Sequence, residues 1–121
     1  MNALLHLWKA FGYSLQGLRN TLYDETAFRI ELAVAVILIP VAVLLPVSLI
    51  VRILLIGSVL LVLIVELLNT AVEAAVNRIS TEHHPLSAKA KDAGSAAVFM
   101  ASINLIVIWG IVLFDLISNI S

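Results

Sequence analysis

Leu4, Trp8, Phe11, Leu15, Leu18 and Leu22 recur in steps of four and three, while Lys9, Gln16, Arg19 and Asn20 occupy the other faces. This periodicity predicts an amphipathic helix over about residues 3–22, lying in a membrane interface rather than across it. Past Glu25 the pattern changes to long runs that are apolar on every face, separated by short polar stretches. Three runs, over about residues 28–46, 52–76 and 95–117, have the length needed to cross a bilayer as helices. Pro40 is expected to kink the first and Pro46 to end it. That span is then short unless it starts near Glu25, with its charged first turns at the headgroups. Residues 77–94 are polar and are expected to form the one sizeable loop.

The second run carries the most informative positions. Glu66, Asn69, Thr70, Glu73 and Asn77 follow i, i+3, i+4, i+7 and i+11, which puts all of them on one face of a helix. At 1.5 Å per residue Glu66 lies about 20 Å from the start of its span, toward one interface. A charged acid at the centre of a membrane helix costs roughly 2.5–3.5 kcal/mol on insertion scales, so it is seldom there without a partner, a cavity or a task. Hydrogen bonding across a helix interface would account for part of the stripe. Two acids two turns apart, with Asn69 between them, favour a metal or proton role. Carboxylates suit Mg²⁺, which takes one or two from a protein and completes its shell with water and phosphate oxygens. A carboxylate partly withdrawn from water also suits a general base.

Composition narrows the class. The chain has 121 residues, enough for one domain (1–121), and is 62% hydrophobic; its mean hydropathy is +1.11. Both values lie outside soluble usage and describe an all-α integral membrane protein. There is no cysteine, which excludes disulfides, thiolate chemistry and Cys-based metal sites. The net charge is −1, and the absence of a basic face excludes nucleic acid as a partner. Lys9, Arg19 and Arg29 precede the first span and Arg78, Lys89 and Lys91 follow the second, against Arg52 alone on the other side. The N-terminus and the large loop are therefore expected to be cytoplasmic.

Other positions have modest readings on their own. Glu25 and Arg29 have the spacing of a helix-surface ion pair. Lys91 and Asp92 could anchor a span at the membrane edge or contact a phosphate. His83 and His84 stand in the polar loop, where solvated histidines are common. Trp8 and Trp109 suit interface anchoring or packing, Ser102 and Asn104 suit bonds between helices, and Asp115 suits the outer interface. Small residues cluster at Ala71, Ala74 and Ala75 and again over residues 93–97, where helix backbones can approach closely. Three spans poorly shield a polar stripe, so oligomerisation is expected. The chain has no GxxxxGK[ST] loop or kinase-type Gly-rich loop, so these residues alone do not name a reaction.

Residues 66–77, ELLNTAVEAAVN, resemble the signature of the bacterial integral-membrane diacylglycerol kinase family, E-x-x-N-[ST]-A-[IV]-E with a short helical extension. Lys9-Ala10, Gly12-Tyr13-Ser14, Gly17-Leu18-Arg19, Glu25, Ala27-Phe28-Arg29, Glu31, residues 52–56 and residues 90–98 are similar to that family in order and spacing. Nearly the whole chain is covered. The resemblance implies a homotrimeric helical bundle in a bacterial inner membrane, each subunit with a surface helix and three spans. It implies ATP- and Mg²⁺-dependent phosphorylation of a lipid hydroxyl, giving phosphatidic acid. Glu66 would be the general base with Asn69 beside it, and Glu25 and Glu73 would hold the Mg²⁺ of ATP. Tyr13, Glu73, Glu82, His83, His84, Lys91 and Asp92 would contact the nucleotide, and Arg29, Glu31, Ser95 and Trp109 the lipid. The chain departs from the family pattern at His6, Leu15, Gln16 and Asn77, where arginine, tryptophan, lysine and aspartate are usual.

Two other readings compete. An undecaprenol kinase shares this fold and chemistry, but that branch has an Arg-x-His pattern where this chain has Arg29-Ile30-Glu31. A small oligomeric transporter or proton channel would also use an intramembrane glutamate, yet it leaves Glu25, Lys91 and Asp92 without a role.

Overall fold

The computed structural model describes residues 2–120 as four helices: α1 (Ala3–Asp24), α2 (Thr26–Leu44), α3 (Leu49–Ile79) and α4 (Pro85–Ile120). Met1 and Ser121, the ends of the expected single domain, lie outside the described residues. The helices α2, α3 and α4 are long and apolar enough to cross a membrane. α3 is central and packs against both α2 and α4, whereas α1 packs on α2 and α3.

Each helix end has a local cause. Asn2 opens α1, its side chain accepting a hydrogen bond from the Leu4 amide at 2.9 Å. Glu25 alone separates α1 from α2, with extended backbone (φ −114°, ψ 111°). The corner is tied by Arg29, whose guanidinium donates to the Leu22 and Tyr23 carbonyls at 2.9 and 2.8 Å and to Thr26 Oγ1 at 3.0 Å. These carbonyls end α1 and have no partner inside it. The i, i+4 spacing predicted a Glu25–Arg29 ion pair; the guanidinium instead closes the preceding helix and leaves the Glu25 carboxylate free of that partner.

Pro40 lies inside α2, which continues to Leu44, a placement that membrane helices tolerate when neighbours satisfy the freed backbone groups. At its end Arg52, from the first turn of α3, donates to the carbonyls of Ala42 (2.9 Å), Val43 and Val47 (3.0 Å). Ser48 caps α3, accepting from the Val51 amide at 3.3 Å.

The expected loop over residues 77–94 is corrected by the structure. α3 runs on to Ile79 and α4 starts at Pro85, which leaves only residues 80–84 outside helix. Nothing ends the α3 helix where its apolar run ends, and Pro85 is well suited to a first helical turn. His84 starts α4: its Nδ1 accepts from the Leu86 amide at 3.1 Å. Lys89, Lys91 and Asp92 thus ride on a helix of 36 residues, about 54 Å long.

The core joins α2, α3 and α4 through Ala35, Ala42, Leu55, Val59 and Trp109. The alanines let α2 approach closely. Trp109 fills the remaining space, and its indole N–H donates to the Leu55 carbonyl at 3.2 Å, an acceptor shared with Ser58 Oγ at 2.8 Å. By contrast Leu4, Trp8 and Phe11 on α1 stay exposed, with the Trp8 and Phe11 rings edge to face at 6.4 Å. That surface is suited to lipid headgroups or another subunit.

Substituting Arg52→Met is expected to lower stability by about 1–3 kcal/mol, because the α2 carbonyls lose a charged donor. Thermal unfolding in detergent measures it; an unchanged midpoint would refute the capping role.

Candidate functional site

The polar stripe of α3 meets the start of α2. Glu66 is only 5% exposed, and the charges of Glu25 and Glu73 act on it, as its own acts on Glu31. Glu25 comes to this place from the α1–α2 corner, Glu31 from the second turn of α2, and Glu66 and Glu73 from one face of α3, two turns apart. Like charges so arranged repel one another, which makes the site receptive to a cation.

Asn69 stands between the α3 carboxylates. Its Nδ2 donates to Glu73 Oε1 at 3.3 Å, while its Oδ1 is buried without a hydrogen-bond partner. Thr70 Oγ1 and Glu31 Oε2 are buried and unpartnered as well. An orphaned buried polar atom costs about 1–3 kcal/mol, so three together mark a place where something else is to be bound. Beside Glu31 an apolar cleft of about 170 Å³ opens between α2, α3 and α4, lined by Val34, Val59, Val62, Ser102 and Ile106.

A second, polar cleft of about 340 Å³ lies where α3 passes into α4, lined by Asn77, Ser80, Glu82, His83, His84, Ser87, Lys91 and Asp92. Its size falls in the range of small-molecule sites. Ser87 and Lys91, four residues apart, share a face of α4, Asp92 lines the cleft beside them, and Ser80 Oγ shapes the turn by accepting from the Glu82 amide at 3.0 Å. With the Leu86 amide on Nδ1, His84 keeps Nε2 for another partner.

The structure therefore gathers the expected site residues into two groups, Glu25, Glu31, Glu66, Asn69 and Glu73 in one and Glu82, His83, His84, Lys91 and Asp92 in the other. Tyr13 stays on an exposed face of α1, which does not pack against α4 among the described residues. Arg29 is engaged with the end of α1. Ser95 is exposed on α4. Trp109 is 6% exposed and sits in the core, its N–H bonded to the Leu55 carbonyl of α3, so it has little surface to offer a ligand. Among the described residues no three His, Cys, Asp or Glu side chains converge as a ready-made metal centre. A carboxylate pair suffices for Mg²⁺ when phosphate and water supply the other ligands, and Glu25 and Glu73 fit that requirement in donor type.

Two residues that the sequence marked without a role in the site also contribute. Asn77 lines the polar cleft at the end of the stripe. Gly94, one of a run of small residues, lies directly against the Asn69 side chain. The run itself marked a close approach, but not which residue faced the stripe.

Comparison with known proteins agrees with this architecture. Residues 12–113 match the family model for prokaryotic diacylglycerol kinase. A diacylglycerol kinase of Haemophilus influenzae is 52% identical over 111 residues, covering 92% of this chain and 94% of the relative. Another from Pseudomonas aeruginosa is 51% identical over 110 residues (91% and 89% covered), and one from Escherichia coli K12 is 50% identical over 107 residues (88% of each). The match spans every element that builds the site, from the second half of α1 to the membrane part of α4. The chain belongs to the prokaryotic diacylglycerol kinase family and is a membrane-embedded enzyme of that family.

Proposed function

We propose that this lipid kinase transfers the γ-phosphoryl group of ATP to the free hydroxyl of diacylglycerol, giving phosphatidic acid and ADP. The observation that carries the reading is the Glu66 carboxylate, buried at the membrane end of a polar stripe whose other end opens on a polar cleft. A diacylglycerol hydroxyl lies at that depth, with its acyl chains in the bilayer and its reactive oxygen near the headgroups. Glu66 takes the hydroxyl proton as the new oxygen–phosphorus bond forms and the bond to the β-phosphate oxygen breaks. Asn69 orients the reacting groups from one turn away.

Glu25 and Glu73 would hold Mg²⁺, which when bound to ATP neutralises the phosphate charge that builds up during transfer. Lys91 offers a point charge to the phosphates, and Asp92, Glu82, His83 and His84 hold the nucleoside side of ATP, with Tyr13 closing over it from α1. Glu31 and the apolar cleft beside it receive the lipid, together with Ser95 and Arg29. Trp109 contributes from behind by keeping α3 and α4 at their spacing. Phosphoryl transfer relies mainly on positioning and charge stabilisation, so this small set is sufficient.

The enzyme acts as a homotrimer in a bacterial inner membrane, with the N-terminus and residues 80–84 on the cytoplasmic side. Support comes from the excess of basic residues on that side, from the unpartnered polar atoms of the stripe and from the exposed apolar surface of the spans. A neighbouring subunit would also bring α1, with Tyr13, over the polar cleft of α4.

In mixed micelles with Mg²⁺-ATP, the protein is expected to phosphorylate diacylglycerol in preference to undecaprenol. Glu66→Gln should lose about 10²–10⁴-fold in turnover while keeping its oligomer size. Equal turnover in that variant would eliminate Glu66 as base, and preference for undecaprenol would change the substrate while keeping the chemistry. Lys91→Ala should raise the KM for ATP about tenfold and leave the KM for lipid unchanged; a rise confined to the lipid KM would assign the lysine to the other substrate.

A further inference from the structure

We propose that Gly94 is a positioning residue for phosphoryl transfer, in that its missing side chain is what lets the Asn69 carboxamide sit between Glu66 and Glu73. A Cβ placed on Gly94 would collide with Asn69 Oδ1 and come within 3.3 Å of its Cγ, while Asn69 Cα would lie at an ordinary 3.9 Å. No other described glycine would bring a Cβ within 4 Å of an atom beyond its chain neighbours and its own turns of helix backbone, so the contact is specific to this level of the α3–α4 pair. Gly94 is in the interior of α4, where glycine lowers helix stability relative to alanine. A residue unfavourable to its own helix and in contact with a polar side chain is expected to serve that side chain.

The geometry fixes what alanine would do. The colliding atom is the end of a side chain, so the backbones of α3 and α4 can stay where they are and the carboxamide has to turn. In the observed orientation Nδ2 donates to Glu73 Oε1, and Oδ1 lies buried against Gly94 without a partner. Reversing the amide would set its oxygen against the Glu73 carboxylate, two acceptors facing each other. Glu73 therefore selects the orientation of the amide, and the bare Cα of Gly94 leaves the room that the amide oxygen needs in it. The sequence places Lys91 and Asp92 less than one turn before Gly94 on the same helix, so one rigid element fixes the carboxamide and carries residues proposed to contact the nucleotide.

The inference rests on the roles proposed for Asn69 and Glu73, and a double-mutant cycle separates its failure from theirs. Wild type, Gly94→Ala, Asn69→Ala and the double variant would be compared as full-length protein in mixed micelles for kcat, both KM values, the Mg²⁺ concentration for half activation, oligomer size and thermal unfolding. Gly94→Ala is expected to keep its size and unfolding midpoint, to lose about 10- to 100-fold in kcat and to require more Mg²⁺. In the Asn69→Ala background, where no carboxamide is present to collide, Gly94→Ala should cost nothing further. Wild-type kcat and Mg²⁺ requirement in Gly94→Ala, beside an impaired Asn69→Ala, would overturn the inference, as would a full additional loss in the double variant. Full activity of Asn69→Ala would remove the role of Asn69 itself, and that of Gly94 with it. If Gly94→Ala fails to assemble, assembly of the double variant supports the steric link through Asn69 and its failure overturns it.

Discussion

Inside a bilayer a polar atom without a partner has no water to turn to, and the whole arrangement of this chain follows from that. The helices settle most of it internally. Arg29 closes the end of α1 and Arg52 the end of α2, each reaching carbonyls that a helix cannot satisfy by itself. Trp109 and Ser58 both donate to the Leu55 carbonyl in the middle of the core. The exceptions are gathered in one place, at Glu31, Asn69 and Thr70. A chain that satisfies its polar groups elsewhere, and leaves three open beside a buried glutamate, has concentrated its unmet bonding where the reaction is proposed.

Rigidity and reactivity are supplied by the same helices. α3 carries Glu66, Asn69 and Glu73 on one face and contacts both neighbouring spans, so these groups are held by the best-packed element of the bundle. α4 approaches α3 through small residues, and the closeness of that approach puts the bare backbone of Gly94 directly against the Asn69 side chain. Continuing both helices past the apolar region carries the polar cleft out toward water while keeping it on the same rigid pair. A flexible loop of the length expected over residues 77–94 would have surrendered that alignment.

Much of this was legible in the residues. The stepped leucines of α1, the lengths of the apolar runs and the period of the Glu66–Asn77 stripe each follow from helix geometry, and the structure forms helices at all of them. Legibility failed where a residue had two possible partners. Arg29 has Glu25 one turn away and the last carbonyls of α1 six and seven residues back, and only the corner at Glu25 brings those carbonyls within reach. Trp109 could have faced lipid or protein, since an indole suits both; the two alanines of α2 made the space that took it inward. Polarity over residues 77–94 was mistaken for a loop because a polar composition outside the membrane does not by itself stop a helix.

The sequence by itself determined that the chain spans a membrane, which face of its central helix is polar and which side groups can do proton or metal chemistry, because hydrophobicity and helical period are local properties. Only the tertiary structure decided which carboxylates share one field, which polar atoms are left open and which glycine meets Asn69. Those depend on the rotation and separation of helices about one another, quantities set by the packing of residues far apart along the chain.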